Sequence, residues 1–487
     1  MSEAESRAVS SSTLPLQSDF GHSPLGGSGP WMVLLAAFLG WMFDGLELGL
    51  FPLTARPALQ EMLSRNLNAQ QVADHIGAWM GYIGAATLVG AAIGGVAFGW
   101  LGDRIGRVST LALTVLTYSV FSGVCALANQ PWHLLALRFL SSLGMGGEWA
   151  VGVALVMEVW PGRWRPVLAS AIGAASNVGF LTIALLGLAL GRTLAQVGSF
   201  LQLIHLPRPW SQALLANSGW RALYLMGALP AILTFFVRAF VPESQRWKHA
   251  AATAPPGRVR DIFEGPIARL TSAKVFALDY ARERDIFEGS LARLTLLGTA
   301  LSGIALLGTW GSVQWIASWA GKLAAAQSSS HETDARSKAQ IAVSLGAVTA
   351  CILAAPMLRW AGRRAGFFAL SLLSLASCSC LFRGGLPFGT GFLVLVFLVG
   401  GFTAAFYAWL PLYLPELFPT RVRATAQGFA YNIGRVLAAA GTLCSGQLLN
   451  HFHEDYAKMC SVISLIYVAG LIVIWFCPET KGRPLPD

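Results

Sequence analysis

The octet Glu158-Val159-Trp160-Pro161-Gly162-Arg163-Trp164-Arg165 reads E-x-x-P-x-R-x-R, and the pattern returns 258 residues later as Glu416-Leu417-Phe418-Pro419-Thr420-Arg421-Val422-Arg423. Each copy closes one long apolar run and opens the next. A bilayer core about 30 Å thick needs roughly 20 apolar residues per helix. Twelve runs qualify: 31–53, 77–101, 108–128, 133–157, 166–190, 220–241, 294–320, 340–361, 365–383, 390–413, 424–446 and 457–477. The chain is 55% apolar and 12% charged, where a soluble domain carries about 25% charge. These features predict an all-α polytopic membrane protein with twelve spans in two pseudo-symmetric six-helix bundles.

The spacing divides the chain into a disordered N-terminal tail (1–29), a first bundle (30–242), a polar basic linker (243–293), a second bundle (294–478) and a short tail (479–487). Matching signposts, Pro242-Glu243-Ser244 and Pro478-Glu479-Thr480, end the two bundles. The linker holds its own repeat, Arg260-Asp261-Ile262-Phe263-Glu264-Gly265 and Arg284-Asp285-Ile286-Phe287-Glu288-Gly289. It reads either as a pair of interfacial amphipathic helices or as a local duplication that only links. The segment 191–219 reads as a long, partly apolar loop.

The net charge of +10 would suit a nucleic-acid partner, but its distribution argues against one. With a cytoplasmic N-terminus, about 21 of the 34 Lys and Arg fall on the cytoplasmic side, 9 on the outer side and 4 (Arg138, Arg221, Arg238 and Arg435) inside spans. That bias is the positive-inside rule, and it predicts a plasma (inner) membrane protein with both termini cytoplasmic. The first residues lack the basic start and apolar core of a cleavable signal. The seven cysteines show no metal-ligand spacing. Neither a phosphate-binding G-x-x-x-x-G-K-[ST] loop nor a nucleophile elbow occurs, so no cofactor, metal or enzymatic activity is expected. Gly90/Gly94 and Gly95/Gly99 form G-x-x-x-G pairs, a helix-packing signal.

The loop after the second span, Gly99-Trp100-Leu101-Gly102-Asp103-Arg104-Ile105-Gly106-Arg107, resembles the signature loop of the major facilitator superfamily, with Val108-Ser109-Thr110 where a basic pair is usual. A decayed copy in the second half keeps Gly362 and Arg363. The two E-x-x-P-x-R-x-R elements are similar to that superfamily's loops after spans four and ten. The stretch Arg138 to Trp149, ending Gly146-Gly147-Glu148-Trp149, looks like the fourth span of the metabolite and sialate:proton symporters. Pro242-Glu243-Ser244-Gln245-Arg246-Trp247 is similar to the sugar porters, whose Gln-Gln pair is missing from span seven. The resemblance implies secondary transport by alternating access. It also implies a cytoplasmic gate of Gly99, Asp103, Arg104, Gly106, Arg107, Glu158, Arg163, Arg165, Arg363, Glu416, Arg421 and Arg423.

Ionisable groups inside spans are costly and usually face a cavity or a partner. Asp44 and Glu47 stand i,i+3 on one face of the first span. Proton coupling is expected at Asp44, Glu47 and Arg138, with Asp44 holding Arg138 until it is protonated; a fixed structural ion pair is the other reading. Arg435 lies twelve residues beyond Arg423, about 18 Å along a helix, where a guanidinium suits a carboxylate; pairing with Glu148 is the alternative. Asn177 is its pseudo-equivalent (435 − 258). Asn432, Glu148, Gln314 and Trp315 complete the expected substrate site, although Trp310, Trp315 and Trp319 equally fit interface anchors. The expectation is a proton symporter for a small organic anion, able to work as a monomer. A proton-coupled or facilitative sugar porter is the alternative, and a non-transporting membrane sensor a remoter one.

Overall fold

The computed structural model describes residues 29–159, 165–203, 205, 207–241, 243, 289–327, 332–418 and 423–481. The linker repeat lies outside them. Regular structure among these residues is helical: α1 (Gly29–Leu63), α2 (Ala69–Ile105), α3 (Arg107–Cys125), α4 (Pro131–Val159), α5 (Arg165–Leu203), α6 (Arg208–Met226) and α7 (Ala231–Phe240), then α8 (Gly289–Gly311), α9 (Ile316–Gln327), α10 (Glu332–Ala361), α11 (Arg363–Arg383), α12 (Thr390–Ala404), α13 (Phe406–Leu417), α14 (Arg423–His451), α15 (Tyr456–Ile463) and α16 (Ile466–Val473).

Sixteen helices make twelve crossings because four crossings are broken. The pair α6–α7 breaks at residues 227–230, α8–α9 at the tight turn Val313–Trp315, α12–α13 at Ala405, and α15–α16 at residues 464–465. Nine of the described helices or helix pairs are long and apolar enough to cross a membrane. The crossings α4, α6–α7 and α14 complete the twelve and carry Arg138, Arg221 and Arg435. The first crossing runs ten residues past its expected end at 53, to Leu63, with Pro52 and Pro57 inside it. A buried membrane helix tolerates prolines because its neighbours satisfy the freed carbonyls.

The long loop expected over 191–219 is instead mostly helix. α5 continues to Leu203, and α6 starts at Arg208 behind Pro207 as its N-cap. The helix is interrupted at Thr193, between Leu203 and Arg208, where His205 takes left-handed backbone (φ 60°), and at Ala216–Gly219, where Asn217 and Ser218 do so too (φ 48° and 68°). Glu61 holds that turn by accepting from Asn217 Nδ2 (2.8 Å), Trp220 Nε1 (2.9 Å) and Arg221 Nη1 (2.7 Å). A polar kink tied to a half-buried carboxylate leaves no local hydrophobic pattern to read.

Within the first half α2 packs on α4, α1 on α5 and α3 on α4; within the second, α8 packs on α14 and α10 on α12. The halves meet along two seams, α2 against α14 and α5 against α10. The duplication exchanges one seam for the other. Small residues make these contacts possible, as expected where lipid supplies no hydrophobic drive between helices. A Cβ at Gly94 would run into the Leu143 carbonyl, and one at Gly146 into that of Ala91. Gly179 lies as close to Met42 of α1, and Gly81 meets Gly446 across the halves.

Candidate functional site

Helix α1 carries Asp44 and Glu47 one turn apart, but they occupy different surroundings. Glu47 is fully buried and receives Arg138 Nη1, Ser122 Oγ and Ser141 Oγ (2.9 Å for Ser141). The expected Asp44–Arg138 pair is therefore corrected: the partner of Arg138 is Glu47. One helical turn decides it, because the Glu47 side faces α3 and α4 together. Arg138 is also fully buried, and its Nε and Nη2 find no protein acceptor.

Asp44 is half-buried, with Oδ1 shielded and without a hydrogen-bond partner. The charges acting on it are Arg435 of α14, Glu47 and Arg138. Glu148 of α4 is 1% exposed, and neither carboxylate oxygen has a hydrogen-bond partner. It rests on Gly40 of α1, where any Cβ would strike it. The Tyr118 hydroxyl of α3 faces it without closing a hydrogen bond.

Arg435 comes from the middle of α14. Its guanidinium lies 5.1 Å from the Tyr431 ring and donates from Nη1 to the Ala91 carbonyl of α2 (3.2 Å). Among the described residues no carboxylate lies within ion-pairing distance of it, so the alternative pairing with Glu148 is not made. Asn432 packs beside Gly95 on the same seam. Asn177 donates from Nδ2 to the Gly173 carbonyl (3.3 Å) and meets Cys351 of the other half at 3.9 Å. Arg435 and Asn432 thus share the α2–α14 seam, whereas Asn177 lies on the α5–α10 seam. Gln314 and Trp315 do not join them. Both belong to the break between α8 and α9, and Trp315 is 2% exposed with its ring 6.4 Å from Tyr456. Trp319 packs between Phe382 and Phe392, and Trp310 within a buried cluster. All three tryptophans are thus buried rather than surface anchors.

At the end of the bundle where α1 starts and Glu479 lies, the two signature loops build the same device. Gly106 and Gly362 turn the chain at φ 102° and 80°, a region where only glycine escapes strain. The next helix starts at once, and a carboxylate from the end of the same half caps it. Glu243 accepts from the Arg107 and Val108 amides (3.0 and 3.1 Å), and Glu479 from those of Arg363 and Arg364 (both 3.0 Å). Burial pushes the Glu479 carboxyl up, but backbone amides of Arg364, Arg363, Lys481 and Thr480 outweigh it and hold it below the usual carboxylate range. Arg363 grips Glu416 through Nε (2.9 Å) and Nη2 (2.6 Å), with the Thr480 hydroxyl as a further donor (2.6 Å). The side chains of Asp103, Arg104, Glu158, Arg163, Arg165, Arg421 and Arg423, and the surroundings of Gly99, lie outside the described residues.

The opposite end is sealed by contacts that no sequence pattern marks. Arg56 of α1 donates to Glu454 Oε1 (2.8 Å), Glu454 Oε2 (3.2 Å) and the Tyr456 hydroxyl (2.8 Å). Lys322 holds the same carboxylate (3.1 Å) and its carbonyl (3.0 Å). His453 and Glu454 both take left-handed backbone (φ 52° and 63°), which aims Glu454 at the first half. Arg192 to Asp334 (3.3 Å) and Thr333 to Ser218 (2.9 Å) close the α5–α10 side. Partners 398 residues apart leave no local pattern. The two carboxylate caps did leave one, the repeated Pro-Glu before Ser or Thr.

A family model described as Major Facilitator Superfamily matches residues 31–442. The chain is 30% identical over 461 residues to the "Probable 4-methylmuconolactone transporter" of Cupriavidus pinatubonensis, covering 92% of this chain and 90% of that protein. It is 26% identical over 464 residues to the cis,cis-muconate transport protein of Acinetobacter baylyi, covering 94% and 97%. A solved structure of the Escherichia coli xylose transporter XylE, partially occluded and inward open, superimposes with a TM-score of 0.68 at 19% identity over 94% of this chain and 100% of that one. The last likeness speaks for the fold alone. The repeated loops, the twelve crossings and the family match together place the chain in the Major Facilitator Superfamily, as a membrane transporter and not an enzyme.

Proposed function

We propose that the protein is a proton symporter for small organic anions, working by alternating access of its two halves. The observation that carries this reading is Arg435: a guanidinium in mid-helix, on the seam between the halves, with no carboxylate partner among the described residues and Asp44 as an opposing charge. A cation in that setting needs a counter-ion, and a substrate carboxylate supplies one with bidentate geometry. Two relatives named for muconate and a muconolactone support a carboxylic-acid substrate. Sialate and monocarboxylates belong in the same chemical range.

In this reading the sealed end is the outer face, both termini are cytoplasmic, and the protein sits in the plasma (inner) membrane. Asn432 borders the substrate beside Arg435, and Asn177 faces it from the α5–α10 seam. Protonation of Asp44 lowers the negative charge beside Arg435 and lets the anion in. The halves then rock, exchanging the Arg56–Glu454 seal for contacts at the termini end. One protein molecule suffices for this cycle.

Uptake into proteoliposomes tests the proposal with labelled cis,cis-muconate, a monocarboxylate, sialate and xylose, each with and without an inward proton gradient. Gradient-driven uptake of an acid, abolished by Arg435→Ala and stripped of its driven component by Asp44→Asn, is the expected result. Uptake of xylose alone, unchanged by Arg435→Ala, overturns it in favour of a sugar porter.

A further inference from the structure

The far-end seal is built like an occupied anion site. Arg56 of α1 grips Glu454 with both terminal nitrogens (2.8 and 3.2 Å) and donates to the Tyr456 hydroxyl (2.8 Å). Its guanidinium lies 5.9 Å from the Tyr456 ring, and its side chain is 9% exposed. This is the fork geometry by which arginine recognises a free carboxylate. Strained backbone presents Glu454 to it, since His453 and Glu454 are consecutive non-glycine residues in the left-handed region. Strain of this kind gathers at ligand clamps and switches. Arg56 belongs to the first half, whereas Glu454 and its second cation, Lys322 (3.1 Å), both belong to the second. When the halves part at this end, Glu454 therefore leaves with Lys322, and Arg56 loses its counter-ion. Among the described residues every other carboxylate of that end is already engaged. Glu61 holds Asn217, Trp220 and Arg221, and Asp74 accepts from Gln70 (3.1 Å). Glu332 pairs with Arg336, Asp334 with Arg192 and Lys338, and Asp455 with Lys458. No protein group stands ready to replace Glu454 on Arg56.

We propose that Arg56 is the first binding site for the substrate anion at the outer mouth, taking the carboxylate whose place Glu454 holds while the halves are closed there. The inference rests on the organic-anion reading with the sealed end outermost. It deepens that reading by adding an entry site about 18 Å along α1 from Asp44. A cation that has lost its partner at a mouth concentrates anions there and speeds their arrival. As the halves close, Glu454 returns on its strained turn and competes for the same fork. The substrate carboxylate is displaced inward, where Arg435 donates only to a backbone carbonyl and is able to receive it. Glu454 is thus an internal stand-in for the substrate: it closes the mouth and ejects the anion from Arg56 in one movement.

Initial rates of labelled cis,cis-muconate uptake into right-side-out membrane vesicles, over a substrate series, separate capture from sealing. Breaking the seal from either side raises the open fraction, which by itself lowers KM for an external anion in Arg56→Gln and Glu454→Gln alike. Capture by Arg56 makes the two variants diverge. KM should rise about tenfold in Arg56→Gln, for the loss of one charged hydrogen-bonded contact, and fall below that of the parent in Glu454→Gln. The double variant Arg56→Gln/Glu454→Gln strands no charge and should keep the raised KM, so it decides the matter if Arg56→Gln does not fold. A KM that falls alike in both single variants, or a double variant that matches Glu454→Gln, overturns the proposal and leaves the anion reading intact. Divergence confined to inside-out vesicles overturns the placement of the sealed end at the outer face. A parent that takes up xylose but neither cis,cis-muconate nor another acid overturns the anion reading, and the capture site with it.

Discussion

Each intramembrane charge here is assigned its role by the hydrogen bonds it can reach. Glu47 takes one Arg138 nitrogen and two hydroxyls, leaving Arg138 Nε and Nη2 without a protein acceptor; Asp44 Oδ1 and both Glu148 oxygens have no hydrogen-bond partner, and Arg435 donates to a backbone carbonyl. Arg435→Lys keeps the charge but loses the planar fork. Its uptake of an acid should fall at least tenfold, through a raised KM more than a lowered maximum rate, as initial rates over a substrate series would show. Glu47→Ala should behave differently, because it strands a buried guanidinium. Removing one partner of such a pair costs about 3–5 kcal/mol, so this variant should lose thermal stability in detergent as well as uptake. Equal Tm values for Glu47→Ala and the parent would contradict the assignment of that pair as structural.

Among the elements, the α2–α4 contact depends on absent side chains. Gly94→Val would force a branched side chain into the Leu143 carbonyl, and overpacking of this kind costs about 1–3 kcal/mol. A drop in Tm, with no change in which acids compete for uptake, is the expected outcome. The capped starts of α3 and α11 behave as a matched pair. Glu479→Gln weakens the cap on α11 by about 1 kcal/mol and should speed amide exchange in its first turn. Since that carboxyl is held below its ordinary value of 4.5, the cap is at full strength above that pH and is lost as pH falls through the depressed value. Amide exchange at residues 363–366 between pH 7 and pH 3 checks this sign.

At the scale of the whole molecule, the two seams and the far-end ion pairs hold the halves together, and the alternating access proposed above requires the far-end pairs to break. Arg56 and Glu454 have side chains 9% and 12% exposed, so breaking the pair leaves a poorly solvated charge. At about 3 kcal/mol, Arg56→Ala should shift the sealed-to-open ratio roughly a hundredfold. Spin labels at Asn66→Cys and Gln327→Cys, on a background lacking the exposed Cys380 and Cys444, would report this as a longer distance. Burial raises the Glu454 carboxyl, but Arg56 and Lys322 more than offset this and hold it below its ordinary value of 4.5. The seal's contribution is therefore complete above that value and lost only as pH falls through the depressed one. The distance should stay constant from pH 8 to pH 5.5, so proton coupling does not act through this seal.

The sequence by itself determined how many times the chain crosses, where the duplication falls and which charges are buried in mid-membrane. Apolar runs and repeated loops are local patterns, and bilayer thickness turns them directly into spans. It also placed Asp44, Glu47, Arg138, Glu148 and Arg435 among the residues that matter. Which of them pair was decided only by tertiary structure. Asp44 and Glu47 are equally good carboxylates on one helix face, and the choice between them depends on where Ser122 and Ser141 stand on neighbouring helices. The burial of Trp315 against Tyr456 and the reach of Arg56 to Glu454 likewise join residues far apart in the chain. Local chemistry fixes what a side chain is able to bind; only the packed helices fix what is within reach, because a hydrogen bond tolerates a few tenths of an ångström and sequence spacing does not specify distance between helices.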